Sequence, residues 1–111
     1  MGRAHQVSRP IKKAEYTIVF GTRQAEKGWM DLKASQLNAL ADAWDFLTRT
    51  PTLRSPKTHQ LKGELGAVTH RGAVHARWQH ELANGARLWF VVDGQLVILI
   101  ECHTRHPNAT K

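Results

Sequence analysis

The sequence predicts an α+β domain: one N-terminal strand, a helix hairpin, then a three-strand antiparallel meander forming a single sheet with the helices on one face. Three observations predict it. A β-branched and aromatic run, Tyr16–Phe20, ends at Gly21. Apolar residues then recur at three- and four-residue spacing as far as Leu47. From Val74 onward, apolar and polar residues alternate in three segments divided by Asn84-Gly85 and Asp93-Gly94. A chain of 111 residues suits one hydrophobic core. Residues 1–13 read as a basic arm and residues 14–111 as a single domain.

The first helix is expected from a Thr22 cap to about Ala34, with Trp29 and Leu32 on its buried side and Gly28 costing about 1 kcal/mol relative to alanine. Ser35 is read as the cap of a second helix. Its apolar stripe is Leu37, Leu40, Ala41, Trp44 and Leu47, and Pro51 ends it. Trp29 and Trp44 are assigned to the core. Pro51 to His70 is rich in proline, glycine and basic residues and reads as a loop, with a short extended piece at Leu61–Leu65.

The meander runs Val74–Leu82, Arg87–Val92 and Leu96–His103. Three-residue loops closing on left-handed Gly85 and Gly94 give the most consistent faces. One face then collects Val74, Ala76, Trp78, Leu88, Phe90, Val92, Leu96, Ile98 and Ile100 against the helices. The other collects His75, Arg77, Gln79, Glu81, Arg87, Trp89, Glu101 and His103. A one-residue slip would exchange the two. Ionisable groups gathered around an aromatic on an open sheet face mark that side as the candidate site.

Charge narrows the function classes. Sixteen Lys and Arg against nine Asp and Glu leave +7, which favours polyanionic partners. The excess is local: +4 in residues 1–13, −2 in 14–47, +5 in 48–80 and zero in 81–111. No apolar run exceeds five residues, against about twenty for a membrane span, so no membrane role is expected. Cys102 is the only cysteine, which excludes an internal disulfide and a multi-cysteine zinc site. With no secretory leader legible in the basic start, the expected location is the cytoplasm. Neither a metal nor another cofactor is expected: His103 and His106 in an extended segment before Pro107 do not converge as helical neighbours would.

The order of elements, together with Leu61-Lys-Gly-Glu-Leu65, Arg87-Leu-Trp-Phe-Val-Val92 before Asp93-Gly94, and Leu96-Val-Ile-Leu-Ile-Glu-Cys-His103, resembles the RelE/ParE superfamily of type II toxin–antitoxin toxins over residues 15–106. The segments correspond to that family's LKG loop, its arginine-led strand and its last strand, which ends in active-site residues. The resemblance implies a small RelE-like fold and a toxin held inactive by a cognate acidic antitoxin. It also implies a metal-independent endoribonuclease that cuts mRNA, on the ribosome, and stops translation. The alternatives are a gyrase-inhibiting toxin of the ParE branch and a non-catalytic basic RNA-binding module. The sequence departs from the common pattern in having no tyrosine near its C-terminus; Tyr16 is its only one.

Cleavage by this route needs a base for the 2′-hydroxyl, stabilisation of charge on phosphorus, and a proton for the 5′-oxygen. Arg87 is the first choice for the scissile phosphate, since a guanidinium meets phosphate oxygens in two-point contacts. His103 is the acid/base candidate, with Glu101 as partner, and Lys62 completes the catalytic set. Lys57, Arg77, Arg105 and His106 are expected to hold RNA phosphates, and Trp89 to stack on a splayed base. Bland readings stand beside these. Arg87 would sit across the hairpin from Glu81 and pair with it, and His103 would be a solvated strand-end histidine. Lys57, Lys62 and Arg54 would be a solvated loop. Cys102 is read as a buried structural thiol.

Overall fold

A computed structural model describes residues 5–105 of the chain. Strand β1 (Thr17–Phe20) leads through Gly21 into helices α1 (Arg23–Ser35) and α2 (Leu37–Arg49). The expected Thr22 cap is present: its hydroxyl accepts the Ala25 N–H at 3.0 Å and satisfies one of the helix's free amides. Ser35 does not cap the second helix. It is the last residue of α1, and Gln36 stands at the junction.

Beyond Pro51 the chain forms β2 (Thr58–Gln60), a 3-10 turn at Gly63–Gly66, β3 (Ala67–His70), β4 (Ala73–Ala76), β5 (Trp78–Glu81), β6 (Arg87–Asp93) and β7 (Leu96–His103). Five strands build one sheet in the order β1-β7-β6-β5-β2, with β1 parallel to β7 and the remaining pairs antiparallel. Strands β3 and β4 form a separate hairpin. The meander is therefore the centre of a larger sheet. Val74–Leu82 is two strands broken at Arg77, and the basic loop contains two strands of its own. Leu61–Leu65 is not extended; its second half winds into the 3-10 turn.

The helices cover one sheet face. Leu32, Leu40, Ala43, Leu47, Leu88, Phe90, Val97, Leu99 and Cys102 form the buried seam, with Trp29, Trp78 and Val92 packed at its margin. Helix α2 is turned relative to the expected stripe: Leu40 and Leu47 point in, but Ala43 and Thr48 join them. Leu37 and Trp44 are left outside at 56% and 37% exposure. Small residues at 43 and 48 let the helix approach the sheet closely, so the bulkier side of the stripe loses. Val74 and Ala76 are exposed in the separate hairpin and do not belong to the core.

Strand β7 departs from simple alternation. Phe90 lies opposite Leu99 and Trp89 opposite Glu101, so Ile100 is an extra residue in a β-bulge. Before the bulge, Val97 and Leu99 face the helices; after it, Cys102 does. Ile98 and Ile100 turn to the opposite face and pack with Val91, Val19 and Val68. The expected assignment of Leu96, Ile98 and Ile100 to the helix side is thereby reversed, while that of Glu101 and His103 to the open side holds. The two turns also differ. Leu82 N–H bonds Ala86 O at 2.8 Å, enclosing the expected three-residue loop with Gly85 at φ 81°. The second loop is only Gly94-Gln95, between paired Asp93 and Leu96, with Gly94 at φ 59°.

The start of α1 is tied to the bulge. Gly21 N–H bonds Leu99 O at 2.8 Å, and the Thr22 hydroxyl donates to Ile100 O at 2.7 Å. The Gln24 amide donates to Cys102 O at 3.0 Å and accepts from Cys102 N–H at 2.9 Å. These contacts continue the bonding of β7 past Phe20, where its parallel partner β1 ends. In the described part of the basic arm, Glu15 takes the Lys12 N–H at 2.8 Å and the Arg9 guanidinium at 3.0 Å. The Lys12 hydrogen bond first, and Arg9 second, hold its carboxyl below the usual range.

Candidate active site on the open sheet face

The bulge and the three-residue loop together bring the site together. Arg87 is the cross-strand partner of both Glu81 on β5 and His103 on β7, and directly opposed residues share a face. Trp89, two residues along, stands between Gln79 and Glu101. Strand pairing alone thus clusters Glu81, Arg87, His103, Gln79, Trp89 and Glu101 on the face away from the helices.

The contacts within this cluster are close. Arg87 Nη1 lies 2.6 Å from Glu81 Oε1, the pairing foreseen as the bland reading. His103 Nε2 lies 3.0 Å from Glu101 Oε1, without hydrogen-bond alignment. The His103 ring meets Trp89 edge to face at 4.7 Å, and the Arg77 guanidinium stands 5.4 Å from the Trp89 centroid. Trp89 Nε1–H donates to Gln79 Oε1 at 2.9 Å.

Trp89 does not offer an open ring to a base. It is 3% exposed, covered by His103 and Arg77, and serves as the floor on which they rest. Gln79 was not singled out by the sequence although it sat on the expected face; its buried amide fixes the tryptophan. Arg77 Nε, Arg87 Nε and His103 Nε2 are buried and have no hydrogen-bond partner among the described residues. An orphaned buried donor costs roughly 1–3 kcal/mol, more when charged. Two guanidinium nitrogens and an imidazole nitrogen are in that condition on one face, beside the carboxylates of Glu81 and Glu101.

The loop residues are at the rim. Lys62 is exposed immediately before the 3-10 turn, one residue after Leu61, whose N–H bonds Arg77 O at 2.9 Å. Lys57 is exposed, and its carbonyl takes the Glu81 N–H at 2.8 Å. Arg54 lies over Trp78, 5.2 Å from its centroid, as a packing contact. Arg105 is exposed just past β7, and His106 falls outside the described residues. Cys102 is buried toward the helices, where burial pushes its thiol up to about 12. A thiol so held is not a nucleophile.

One half-buried histidine serves the fold. His80 stacks on Phe46 at 4.6 Å and shares a 2.8 Å hydrogen bond with Thr58 Oγ1. Burial first, and the nearby Lys57 charge second, push its pKa down to about 4 from 6.5. Folding therefore favours the neutral ring. Its contribution is complete above pH 6.5 and is lost as pH falls from there toward 4, an effect of about 2–3 kcal/mol after allowing for its partial exposure. Urea unfolding between pH 7 and 4 should show this loss, and His80→Gln should flatten it. An unchanged pH slope in the variant would contradict the assignment.

No family model matches the sequence, and no curated protein matches it. Solved structures do match the fold. The YoeB–YefM complex from Staphylococcus aureus superposes with a TM-score of 0.59 at 16% identity, over 81% of this chain and 97% of that chain. The YoeB dimer from the same organism gives 0.59 at 15% identity with the same coverage. A heterotetrameric YoeB–YefM toxin–antitoxin complex, again from Staphylococcus aureus, gives 0.59 at 16%. At such identity the likeness is one of fold, and it spans nearly the whole of the neighbour. This chain has the small α+β fold of the YoeB toxin in those structures.

Proposed function

We propose that this protein is the toxin of a type II toxin–antitoxin pair and a metal-independent endoribonuclease that cleaves mRNA on the ribosome. The observation that carries the reading is the cluster of Arg77, Arg87 and His103 around Trp89 on the open sheet face, with His103 beside the Glu101 carboxylate. In the proposed reaction the Glu101-facing Nε2 of His103 carries a proton. That leaves Nδ1 as the basic nitrogen that takes the proton of the 2′-hydroxyl. The 2′-oxygen attacks phosphorus, and the 5′-oxygen departs and takes a proton from water, giving a 2′,3′-cyclic phosphate and a 5′-hydroxyl. Arg87 meets the charge that grows on the phosphoryl oxygens, and Glu101 balances the imidazolium. Arg77 holds the adjoining phosphate, and Lys62, Lys57 and Arg105 attract the strand at the rim.

The antitoxin partner is supported by the fold neighbours, which include YoeB bound to YefM. Its expected chemistry is acidic, to match a chain of net charge +7. Induced expression should arrest growth and leave mRNA fragments with defined ends, and Arg87→Ala with His103→Ala should abolish both. Arrest with intact transcripts and accumulated DNA breaks would replace the ribonuclease by a gyrase poison. Binding of RNA without fragments or arrest would leave a non-catalytic module.

A further inference from the structure

The β3–β4 hairpin lies over the open face at the end of the sheet away from Arg87 and His103. Directly paired residues of the hairpin point the same way, so Val68 and His75, and His70 and Ala73, share its underside. Val68 packs onto the Val91–Ile98–Ile100 cluster of the sheet and sets the spacing of the two layers. Beside that contact they part, leaving a slot of about 320 Å³. Its floor is aliphatic, from Val19, Leu96 and Ile98, and its roof carries the half-buried imidazoles of His70 and His75. Arg71 and Asp93 stand exposed at the mouth. Arg71 takes φ 51°, the one non-glycine residue at positive φ among the described residues.

We infer that this slot binds a nucleotide, the base lying between the imidazole roof and the aliphatic floor and the phosphate meeting Arg71. Its volume is at the lower end for small-molecule sites, a size that admits one flat ring system. Imidazole stacks on bases as other aromatic rings do. An aliphatic surface across the slot accepts the second face of a planar ring without demanding hydrogen bonds. The carboxylate of Asp93 at the lip accepts an exocyclic amine of the base, and the Arg71 guanidinium suits a phosphate. The mouth thus offers one group of each charge, which favours a ligand bearing both an anionic and a hydrogen-donating end over a bare anion. Two sources supply that chemistry: a free mononucleotide, or one residue of a single RNA strand. Six residue-to-residue steps along extended β6 separate Arg87 from Asp93, roughly 20 Å. A strand lying on this face and cut at Arg87 therefore reaches the slot with a nucleotide beyond the scissile one. In that second form the inference rests on the ribonuclease reading; in the first it does not.

The test uses the full chain carrying Arg87→Ala, which slows turnover, and follows the ring resonances of His70 and His75 by NMR. Adenosine and guanosine 5′-monophosphates should shift both saturably, with affinity on the order of millimolar or tighter, and ribose 5-phosphate should not. Arg71→Gly removes the guanidinium while relieving the left-handed backbone, so it folds, and it should weaken nucleotide binding about tenfold. Displacement of the mononucleotide by a short single-stranded RNA identifies the strand as the source; failure to displace identifies the free nucleotide. Absence of a saturable shift with either probe, equal binding of ribose 5-phosphate, or full affinity in Arg71→Gly would overturn the site. Should the unaltered protein cleave no RNA while the slot still binds nucleotide, the ribonuclease reading falls and the slot stands.

Discussion

Arg87→Ala should lower the rate of RNA cleavage by on the order of 10²–10³-fold, the loss that accompanies removal of one preorganised donor from a developing oxyanion. The residue has two roles to separate, because its Nη1 is 2.6 Å from Glu81 while its Nε has no partner. Arg87→Lys separates them. Lysine keeps a positive charge beside Glu81 but lacks the planar fork that presents a second donor to phosphate. If the guanidinium stabilises the transition state, Arg87→Lys should be nearly as slow as Arg87→Ala under single-turnover conditions, with the melting temperature close to that of the unaltered protein. A wild-type rate in Arg87→Lys would reduce Arg87 to a cross-strand ion pair. Glu81→Gln supplies the counterpart: it loosens the pair and leaves the guanidinium in place, so it should cost far less rate than either.

Gly28→Ala should destabilise the fold by more than about 3 kcal/mol, read as a lowered midpoint in urea with an unchanged slope. Helix propensity alone predicts the opposite sign, since alanine in a helix interior is favoured over glycine by about 1 kcal/mol. The structure decides between them. A methyl group at Gly28 would collide with the Cys102 carbonyl oxygen and stand 2.8 Å from Cys102 Cβ. Backbone carbonyls held in a central strand cannot turn aside, so α1 would have to lift from β7. Gly63→Ala is the control: its φ is 63° and nothing lies within 4 Å of the added carbon, so only the conformational cost of about 1 kcal/mol applies. Equal effects at the two positions would show that α1 does not press on β7 as described.

The same glycine shows how far the sequence could be read. Local signals located β1, both helices and the strands at Arg87–Asp93 and Leu96–His103 to within a residue or two, because each rests on periodicity over several residues. They also placed Arg87, Glu101 and His103 on one face, as the pairing Arg87–His103 bears out. What failed was set by contacts between distant segments. The α2 sequence contains two overlapping apolar stripes that share Leu40 and Leu47, and only the sheet's demand for small side chains at Ala43 and Thr48 selects between them. The bulge at Ile100 is invisible in a run of five aliphatic residues, since any of them could be the extra one. Strands β2 and β3 are three and four residues long and are stabilised by partners rather than by propensity. The hairpin turn at Arg71-Gly72 carries a left-handed arginine that composition disfavours, so the His70–His75 slot could not be anticipated.

The hydrogen bonds from Gly21, Thr22 and Gln24 to the backbone of Leu99, Ile100 and Cys102 bracket Glu101 and adjoin His103. The opening turn of the helix and the final residues of the sheet are consequently fastened together, with the imidazole next to the last tie. The position of His103 therefore depends on the helix packed behind its strand as well as on the strands beside it.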